Sequence, residues 1–492
     1  MMELKRASRW TYATIVLVSL AFYLLLGRKW LYGDSHGLLV AVGNGTWISG
    51  SAHFLLCPVL NLLWIVAEPL GLTLFQTASL LMAGSTAFGL ALLYAASLQL
   101  GLDSKKATQA TLLVGLSPAI SFYAGSIEYH AFFFFFSCLA TFAATRLFRK
   151  PTVKNATLVG FATGLATQAH GTGILLPILF GLWFFGFRST SKAAPTANPT
   201  NRTVVALLFV VALAHFTFTI IDTAWKDYAG LLGSNTSRSM DVLLDDFQRT
   251  IALVASLPLT IWKEWALPFF PLSLTLLSGC FVSPFRKQSV YVTLGVLIYV
   301  VASFMVLKTI TEYGAYFLPM AWACAVVTVR VFGQRVCIGL ILISLAGSIG
   351  QVIVRDRQAE SQTTAEVMLE ASEGQPITQL VSNNLGTELH FIWLPDEGMI
   401  YLPKFLRFKP QKLLSVLPAL DAEIEQRIAE GHRVFITEQG LDFFSSNPTA
   451  SESVTATMLL NHLQDQYVLD GIPAEDPRVW RLLPLVDSER NE

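Results

Sequence analysis

The stretch that decides the fold is residues 11–27, TYATIVLVSLAFYLLLG, an apolar run without a single charged side chain. Its length approaches the roughly 20 apolar residues that an α-helix needs to cross a bilayer. The run is longer than the core of a signal peptide and lacks a convincing small-residue cleavage site, so we interpret it as a retained membrane anchor. Soon after it, residues 32–37 read YGDSHG and place a carboxylate and an imidazole near the end of the helix.

The composition extends this interpretation to most of the chain. Of the 492 residues, 53% are hydrophobic and 14% are charged, whereas soluble domains have about 25% charged residues. The formal net charge is zero, so there is no overall basic signal for nucleic acid as a partner. The five cysteines lie singly in apolar stretches, which predicts small buried side chains and no disulfide framework.

Apolar runs recur through most of the chain and then stop. We predict a polytopic α-helical membrane protein with about 11 transmembrane helices over residues 1–354, and a small soluble α/β domain over residues 355–492. The tail has two strand-like segments, QPITQLVSNN (375–384) and GHRVFITEQG (431–440), and a helical pattern that ends at Gly431. The predicted spans are residues 10–27, 74–100, 107–125, 128–147, 155–171, 173–187, 203–222, 268–284, 289–307, 314–331 and 336–354. The third to sixth are short and interrupted by polar residues, so half-spans or re-entrant segments are the alternative for some of them.

Lys and Arg residues fall mainly in alternate short loops, which orients the chain in the membrane. The distribution predicts a cytoplasmic N-terminus and an extracytoplasmic C-terminal domain. The compact length and small tail favour a bacterial plasma (inner) membrane, with the lipid bilayer as the first partner. In this topology a group of ionisable side chains lies at the extracytoplasmic ends of the spans: Asp34, His36, Glu128, His130, His170, Asp222 and Glu312.

Glu128 and His130 are the members of this group that are hardest to explain structurally. They stand in SIEYHAFFFFFS (126–137), directly before a run that is suited to hydrocarbon. An ionisable side chain inside a bilayer costs a few kcal/mol, so such residues are candidates for function. The alternative is a polar pair that closes a helix end. His170, in the glycine-flanked turn AHGTG (169–173), has the same two interpretations.

Four segments together resemble the GT-C superfamily of integral-membrane glycosyltransferases. They are Gly-Asp-Ser at 33–35, SIEYHAFF at 126–133, GLATQAHGTGILL at 164–176 and TEYGAYFLPMAWACA at 311–325. The resemblance covers about residues 10–330, and its closest branch is the protein O-mannosyltransferase-like one. It rests on the order and spacing of the segments, because no single motif is diagnostic.

The resemblance implies an inverting transfer of a sugar from a polyprenyl-phosphate-linked donor to a protein, lipid or glycan acceptor on the extracytoplasmic side. It assigns Asp34 as the base or acceptor-positioning group, and the same residue can also be a simple helix cap. The branch has Gly-Glu after Asp-Ser, whereas this chain has His36-Gly37. The missing carboxylate puts in doubt a divalent metal held by this loop, and we assign no metal ligand.

An inverting displacement from a lipid phosphate requires one base and donors for the leaving phosphate. Glu128 and His130 are candidates to position Asp34 or the acceptor. His170 is a candidate to donate to the phosphate or to orient a carboxylate. Further substrate-binding candidates are His36, Arg28, Lys308, Glu312 and Tyr313.

Two other classes of protein remain open from the sequence. A transporter or flippase of a lipid-linked saccharide also carries ionisable residues in its membrane domain, but typically near the midplane and with internal repeats. We find no convincing repeat, and the ionisable groups gather at one side. The third possibility is an inactive membrane scaffold whose tail binds a partner.

Overall fold

The computed structural model describes residues 2–27, 31, 35–47, 55–188, 258–259, 261–282, 285–307, 314–354, 358–381, 387–395, 397–402, 410–437, 450–472 and 479–484. The described part is mostly helical. Its helices are α1 (Met2–Leu25), α2 (Ser35–Gly43), α3 (Leu56–Ala67), α4 (Leu74–Gln99), α5 (Ser104–Gly115), α6 (Pro118–Ala124), α7 (Tyr129–Arg149), α8 (Val153–Ala169), α9 (Leu176–Arg188), α10 (Leu272–Gly279), α11 (Arg286–Leu307), α12 (Ala321–Val331), α13 (Gln334–Val354), α14 (Gln358–Ala371), α15 (Pro410–Ala429) and α16 (Ala450–Gln466).

Three of the described helices, α4, α7 and α13, are both long enough and apolar enough to cross a membrane. Shorter apolar helices occupy residues 9–25, 56–70, 171–184 and 315–331. The predicted span at 203–222 lies outside the described residues. The chain therefore has several membrane-type helices, and the number of 11 spans stays a prediction.

Prolines divide two of the predicted spans. The run 107–125 is two helices, α5 and α6, because Pro118 has no N–H to donate and disfavours helical geometry at Ser117. Ser117 is accordingly extended, with ψ of 141°. The run 268–284 is helical only as α10, which begins after the proline at position 271. The prediction of one continuous helix was wrong for 268–284, whereas the division of 107–125 agrees with the alternative of half-spans.

Two other predicted spans begin as tight 3₁₀ turns. Residues Gly171–Leu175 precede α9, and residues Ala315–Met320 precede α12. Each turn contains or adjoins residues that the sequence singled out, so the irregular backbone coincides with the candidate site. Non-helical backbone at membrane depth is tolerated where protein covers it.

The C-terminal part contains a five-stranded mixed sheet with strand order β2-β1-β3-β5-β4. The first three are parallel, and β5 pairs antiparallel with both β3 and β4. Both strand-like segments of the tail are strands, and the helix predicted before Gly431 is the end of α15, so these predictions are confirmed. The strands are β1 (Ile377–Val381), β2 (Gly398–Tyr401), β3 (Arg433–Thr437), β4 (Tyr467–Gly471) and β5 (Val479–Pro484).

Side chains alternate across the sheet, so both faces are covered. Val434 and Ile436 of β3 pack with Leu420 of α15 and Leu463 of α16. Phe435, between them, packs on the other face against Met368 of α14. The period-two alternation of a strand places these neighbours on opposite sides.

The chain separates into two compact units. The first unit consists of Met1–Gly27, Asn44–Val66 and Gln76–Arg355, and it contains most of the apolar helices. The second unit consists of Arg28–Gly43, Ala67–Phe75 and Asp356–Glu492. In the second unit, Leu31 donates its N–H to Oε1 of Glu388 at 3.0 Å, and Gly43 lies against the ring of Phe391. The segment that follows α1 therefore packs with the C-terminal part of the chain.

Candidate active site

The candidate site begins at the first turn of α7, where Glu128 and His130 are both buried. Glu128 is 3% exposed and His130 is 0% exposed. The His130 Nε2 atom lies 3.9 Å from Oε2 of Glu128. Glu128 occupies the N-cap position with extended backbone angles, yet its side chain makes no capping hydrogen bond. The carboxylate therefore does not have the usual structural role of an N-cap residue.

His170 is held by its own turn. It ends α8 with φ of −160° and ψ of 131°, and its Nδ1 lies 2.7 Å from Oγ1 of Thr172. The backbone N–H of Thr172 also donates to this Nδ1, at 3.3 Å. Because Nδ1 accepts the N–H of Thr172, a neutral ring with this contact carries its proton on Nε2.

A glycine permits this turn to fold back so closely. A Cβ atom at Gly173 would lie 2.5 Å from the backbone nitrogen of Thr167 and 2.6 Å from the carbonyl carbon of Ala166. Both contacts are with rigid helix backbone, so no larger residue fits here without movement. The AHGTG pattern is thus the local reason that His170 faces the start of α7.

Aromatic rings surround the two imidazoles. The rings of Tyr129 and His170 stack in parallel, with centroids 5.5 Å apart and planes at 5°. The His130 and His170 rings are 5.7 Å apart, and Tyr316 contacts both, at 5.5 Å and 5.0 Å. We call Glu128, Tyr129, His130, His170 and Tyr316 the histidine cluster.

Tyr316 reaches the cluster because a buried carboxylate fixes the turn before it. Oε2 of Glu264 accepts the N–H of Gly314 at 2.8 Å, and Gly314 has φ of 78°, a conformation that favours glycine. Neither Glu264 nor Tyr316 was among the site residues predicted from the sequence. A signal was present for Glu264, which is an acidic residue in the otherwise aromatic stretch TIWKEWALPFF (260–270).

The end of α1 lies beside the loop that carries Glu128. A Cβ atom added to Gly125 would be 3.1 Å from the carbonyl oxygen of Leu26. Leu26 and Gly27 are the last described residues of this segment, and Asp34 follows seven residues after Gly27 in the sequence. The described end of α1 thus packs against the loop that precedes α7.

The other predicted site residues divide into two groups. His36 lies on α2 in the second unit and is buried, with no hydrogen-bond partner for its Nδ1 among the described residues. Burial without a charged partner lowers the pKa of His36 to about 4. Five predictions fall outside the described residues: Asp34, Arg28, Lys308, Glu312 and Tyr313.

The histidine cluster combines three chemical abilities in one buried place. Glu128 can accept a proton or orient one, His170 offers an N–H donor, and the tyrosine rings provide faces for a sugar or flat group. Within the described ranges, no three His, Cys, Asp or Glu residues are arranged to hold a metal ion. The described cluster thus offers acid–base and hydrogen-bonding groups.

No protein-family model matches the chain, and no curated protein matches it. Among solved structures it is similar to ArnT from Cupriavidus metallidurans bound to undecaprenyl phosphate, with a TM-score of 0.54, 12% identity, and coverage of 97% of this chain and 98% of that one. The apo state of ArnT gives the same values.

Two further neighbours match with lower TM-scores. The oligosaccharyltransferase AglB from Archaeoglobus fulgidus, in complex with an inhibitory peptide and a dolichol-phosphate, has a TM-score of 0.43, 12% identity, and coverage of 80% and 64%. The mycobacterial arabinofuranosyltransferase AftD has a TM-score of 0.46 and 15% identity, with coverage of 76% of this chain and 29% of that one. These neighbours are GT-C glycosyltransferases. The likeness to ArnT, which runs over nearly the full length of both chains, shows that this protein has a polytopic membrane fold of the GT-C type.

Proposed function

We propose that this protein is a membrane glycosyltransferase that moves a sugar from a polyprenyl-phosphate-linked donor to an acceptor. The observation that carries the proposal is the buried histidine cluster within a fold like that of ArnT, whose structure holds undecaprenyl phosphate. A carboxylate and two imidazoles are costly in a membrane domain. Their shared position fits a reaction with one proton to remove and one phosphate to release.

The proposed step is a single displacement with inversion at the anomeric carbon. The acceptor oxygen or nitrogen attacks this carbon, the bond from carbon to phosphate oxygen breaks, and the polyprenyl phosphate leaves with the electron pair. One base takes the acceptor proton, and we keep Asp34 in this role on the strength of its motif. Phosphate leaves without protonation, so the paired acid and base of a glycosidase are not needed.

Within the cluster, we assign Glu128 and His130 to positioning of the acceptor and His170 to the leaving phosphate. The N–H at Nε2 of His170 suits an anionic oxygen, because hydrogen bonds to charged acceptors are the strong ones. The neighbouring Tyr129 and Tyr316 fix the orientation of the imidazole. His36 and the candidates Arg28, Lys308, Glu312 and Tyr313 remain proposed contacts to the substrate.

The finer assignments belong to the same proposal. They are transfer on the extracytoplasmic side of a bacterial plasma membrane, a cytoplasmic N-terminus, an extracytoplasmic domain over residues 355–492, and closest kinship with the O-mannosyltransferase-like branch. The acceptor is a protein, lipid or glycan.

The test is donor turnover by the purified protein with a panel of polyprenyl-phosphate sugars and a membrane extract as acceptor source. We expect release of free polyprenyl phosphate by the wild type, and a loss of about 10²–10⁴-fold in Asp34→Asn, the range for a general base. Glu370→Gln, an exposed carboxylate on α14, is the control and should match the wild type. EDTA followed by Mg²⁺ or Mn²⁺ tests the dependence on a divalent metal.

Movement of an intact lipid-linked sugar across the membrane of proteoliposomes, without cleavage of the donor, would instead identify a transporter or flippase. Equal turnover in the wild type and Asp34→Asn would move the base to another residue, with Glu128 next.

A further inference from the structure

A cavity separate from the histidine cluster lies in the first unit, between α1, α4 and α7. Its volume is about 690 Å³, within the range of roughly 300–1,000 Å³ that is typical of ligand sites. Phe88, Ala91, Leu92, Ala95 and Leu98 of α4 line one wall. Their spacing of three and four residues forms one stripe along the helix, and the two alanines leave the space between the helices open.

The facing wall is a stripe on α7 that ends in a cation. Phe135, Leu139, Phe142 and Arg149 line it, and at 1.5 Å per residue the stripe is about 21 Å long. It is apolar except at its last member, whose guanidinium is exposed. The cavity is therefore a long apolar groove with a positive charge at one end only.

The remaining polar groups of the groove are at that same end. Gln99 and Tyr12 line it there, and Oγ1 of Thr145 donates to the amide oxygen of Gln99 at 2.8 Å. The group that Gln99 still offers is its NH₂, so Arg149, Gln99 and Tyr12 all bring hydrogen-bond donors. Two further basic residues, Arg146 and Lys150, stand on either side of Arg149 in the sequence, and the Arg146 guanidinium lies 5.7 Å from the centroid of the Phe142 ring.

We propose that this groove binds an anionic phospholipid, with an acyl chain along the α4 and α7 stripes and its phosphate at Arg149. The charge complementarity decides the class of ligand, because basic pockets between membrane helices on the cytoplasmic side recognise anionic head groups. Arg149 follows His130 by 19 residues on α7, which is about 28 Å along the axis. The phosphate at Arg149 is therefore at the opposite end of the helix from the histidine cluster and differs from a donor phosphate bound there.

The test is lipid retention by the intact protein, measured by native mass spectrometry after exchange into an equal mixture of phosphatidylglycerol and phosphatidylcholine with identical acyl chains. One arginine near a membrane surface corresponds to about a fivefold preference for the anionic lipid. We expect that preference in the wild type, its loss in Arg149→Gln and its persistence in Arg286→Gln, because Arg286 is an exposed arginine at the start of α11 that does not line the groove.

A variant in the middle of the groove tests its apolar part. Ala95→Trp fills its centre and should reduce the retention of both lipids, with a photoreactive acyl chain no longer labelling residues 135–142. Equal retention of both lipids by the wild type would overturn the proposal, and that result does not depend on whether Ala95→Trp folds. Retention of polyprenyl phosphate in place of phospholipid would also overturn it.

Discussion

Glu128 and His130 illustrate how one buried residue pair can be informative by itself. Glu128 stands at a helix N-terminus, where a carboxylate is favourable, but it is buried and does not cap the helix. A group that contributes neither a cap nor solvation needs another reason to be there. Under the proposed function, that reason is positioning of the acceptor.

The burial of His36 and His390 predicts that the second unit loses folding stability in acid. Burial lowers the pKa of each to about 4, below the value of 6.5 in an unfolded chain. The folded state therefore keeps both rings neutral while the unfolded state gains protons below pH 6.5. Stability is fully present above that value and is lost as the pH falls towards 4, by up to about 3 kcal/mol for His36.

The measurement is hydrogen exchange of peptides from α2 and from residues 387–393 between pH 7 and 4.5, corrected for intrinsic exchange rates. We expect opening to increase below pH 6.5, and the increase to shrink in His36→Gln and His390→Gln. A wild type with constant protection over this range would contradict the buried neutral state.

Gln379 predicts a gain of stability on substitution. It is 1% exposed in the middle of β1, and neither atom of its amide has a hydrogen-bond partner among the described residues. A buried amide without partners costs about 1–3 kcal/mol. Gln379→Met, which has a similar shape, should raise the free energy of unfolding by that amount in denaturant titrations. The exposed Gln426→Met should change it little, and an equal effect in both variants would refute this explanation.

At the scale of elements, the link between Glu264 and Gly314 predicts a positioning role. The carboxylate fixes the turn that presents Tyr316 to His130 and His170. Glu264→Ala removes the acceptor, and displacement of a positioned group by about 1 Å can lower a rate about 10²-fold. Glu264→Gln retains an oxygen that can accept the N–H of Gly314, so its turnover should be much closer to that of the wild type.

Donor turnover and thermal unfolding of both variants check this prediction. A purely structural role would lower the unfolding temperature of Glu264→Ala while the surviving folded enzyme kept its normal kcat. A loss of kcat with recovery in Glu264→Gln supports positioning.

The elements also show what the sequence could and could not predict. The break between α5 and α6 was predictable from the sequence, because Pro118 has no N–H to donate and disfavours helical geometry at the residue before it. Glu128, His130 and His170 stood out as candidates in the sequence because ionisable residues beside apolar runs are costly, and their role stays a proposal. Tyr316 did not stand out, because an aromatic residue in an apolar segment is ordinary until the fold brings it to an imidazole. Glu264 depends in the same way on a contact with a distant glycine.

At the scale of the whole molecule, hydropathy and charge predicted a polytopic helical protein, and the comparison with ArnT supports that fold class over 97% of the chain. The grouping of residues 28–43 and 67–75 with the C-terminal part was not predictable. These segments are short, and no local sequence pattern indicates which part of the chain they pack against. Tertiary contacts such as that between Leu31 and Glu388 decide it.

The most direct test of the central claim is polyprenyl-phosphate release by Glu128→Gln, measured beside the wild type with the donor that the panel identifies. The substitution keeps the shape of the side chain and removes its negative charge. We predict a decrease of at least about 10²-fold in kcat/KM, with an unfolding temperature close to that of the wild type. Activity within twofold of the wild type would contradict the claim that the histidine cluster is the active site.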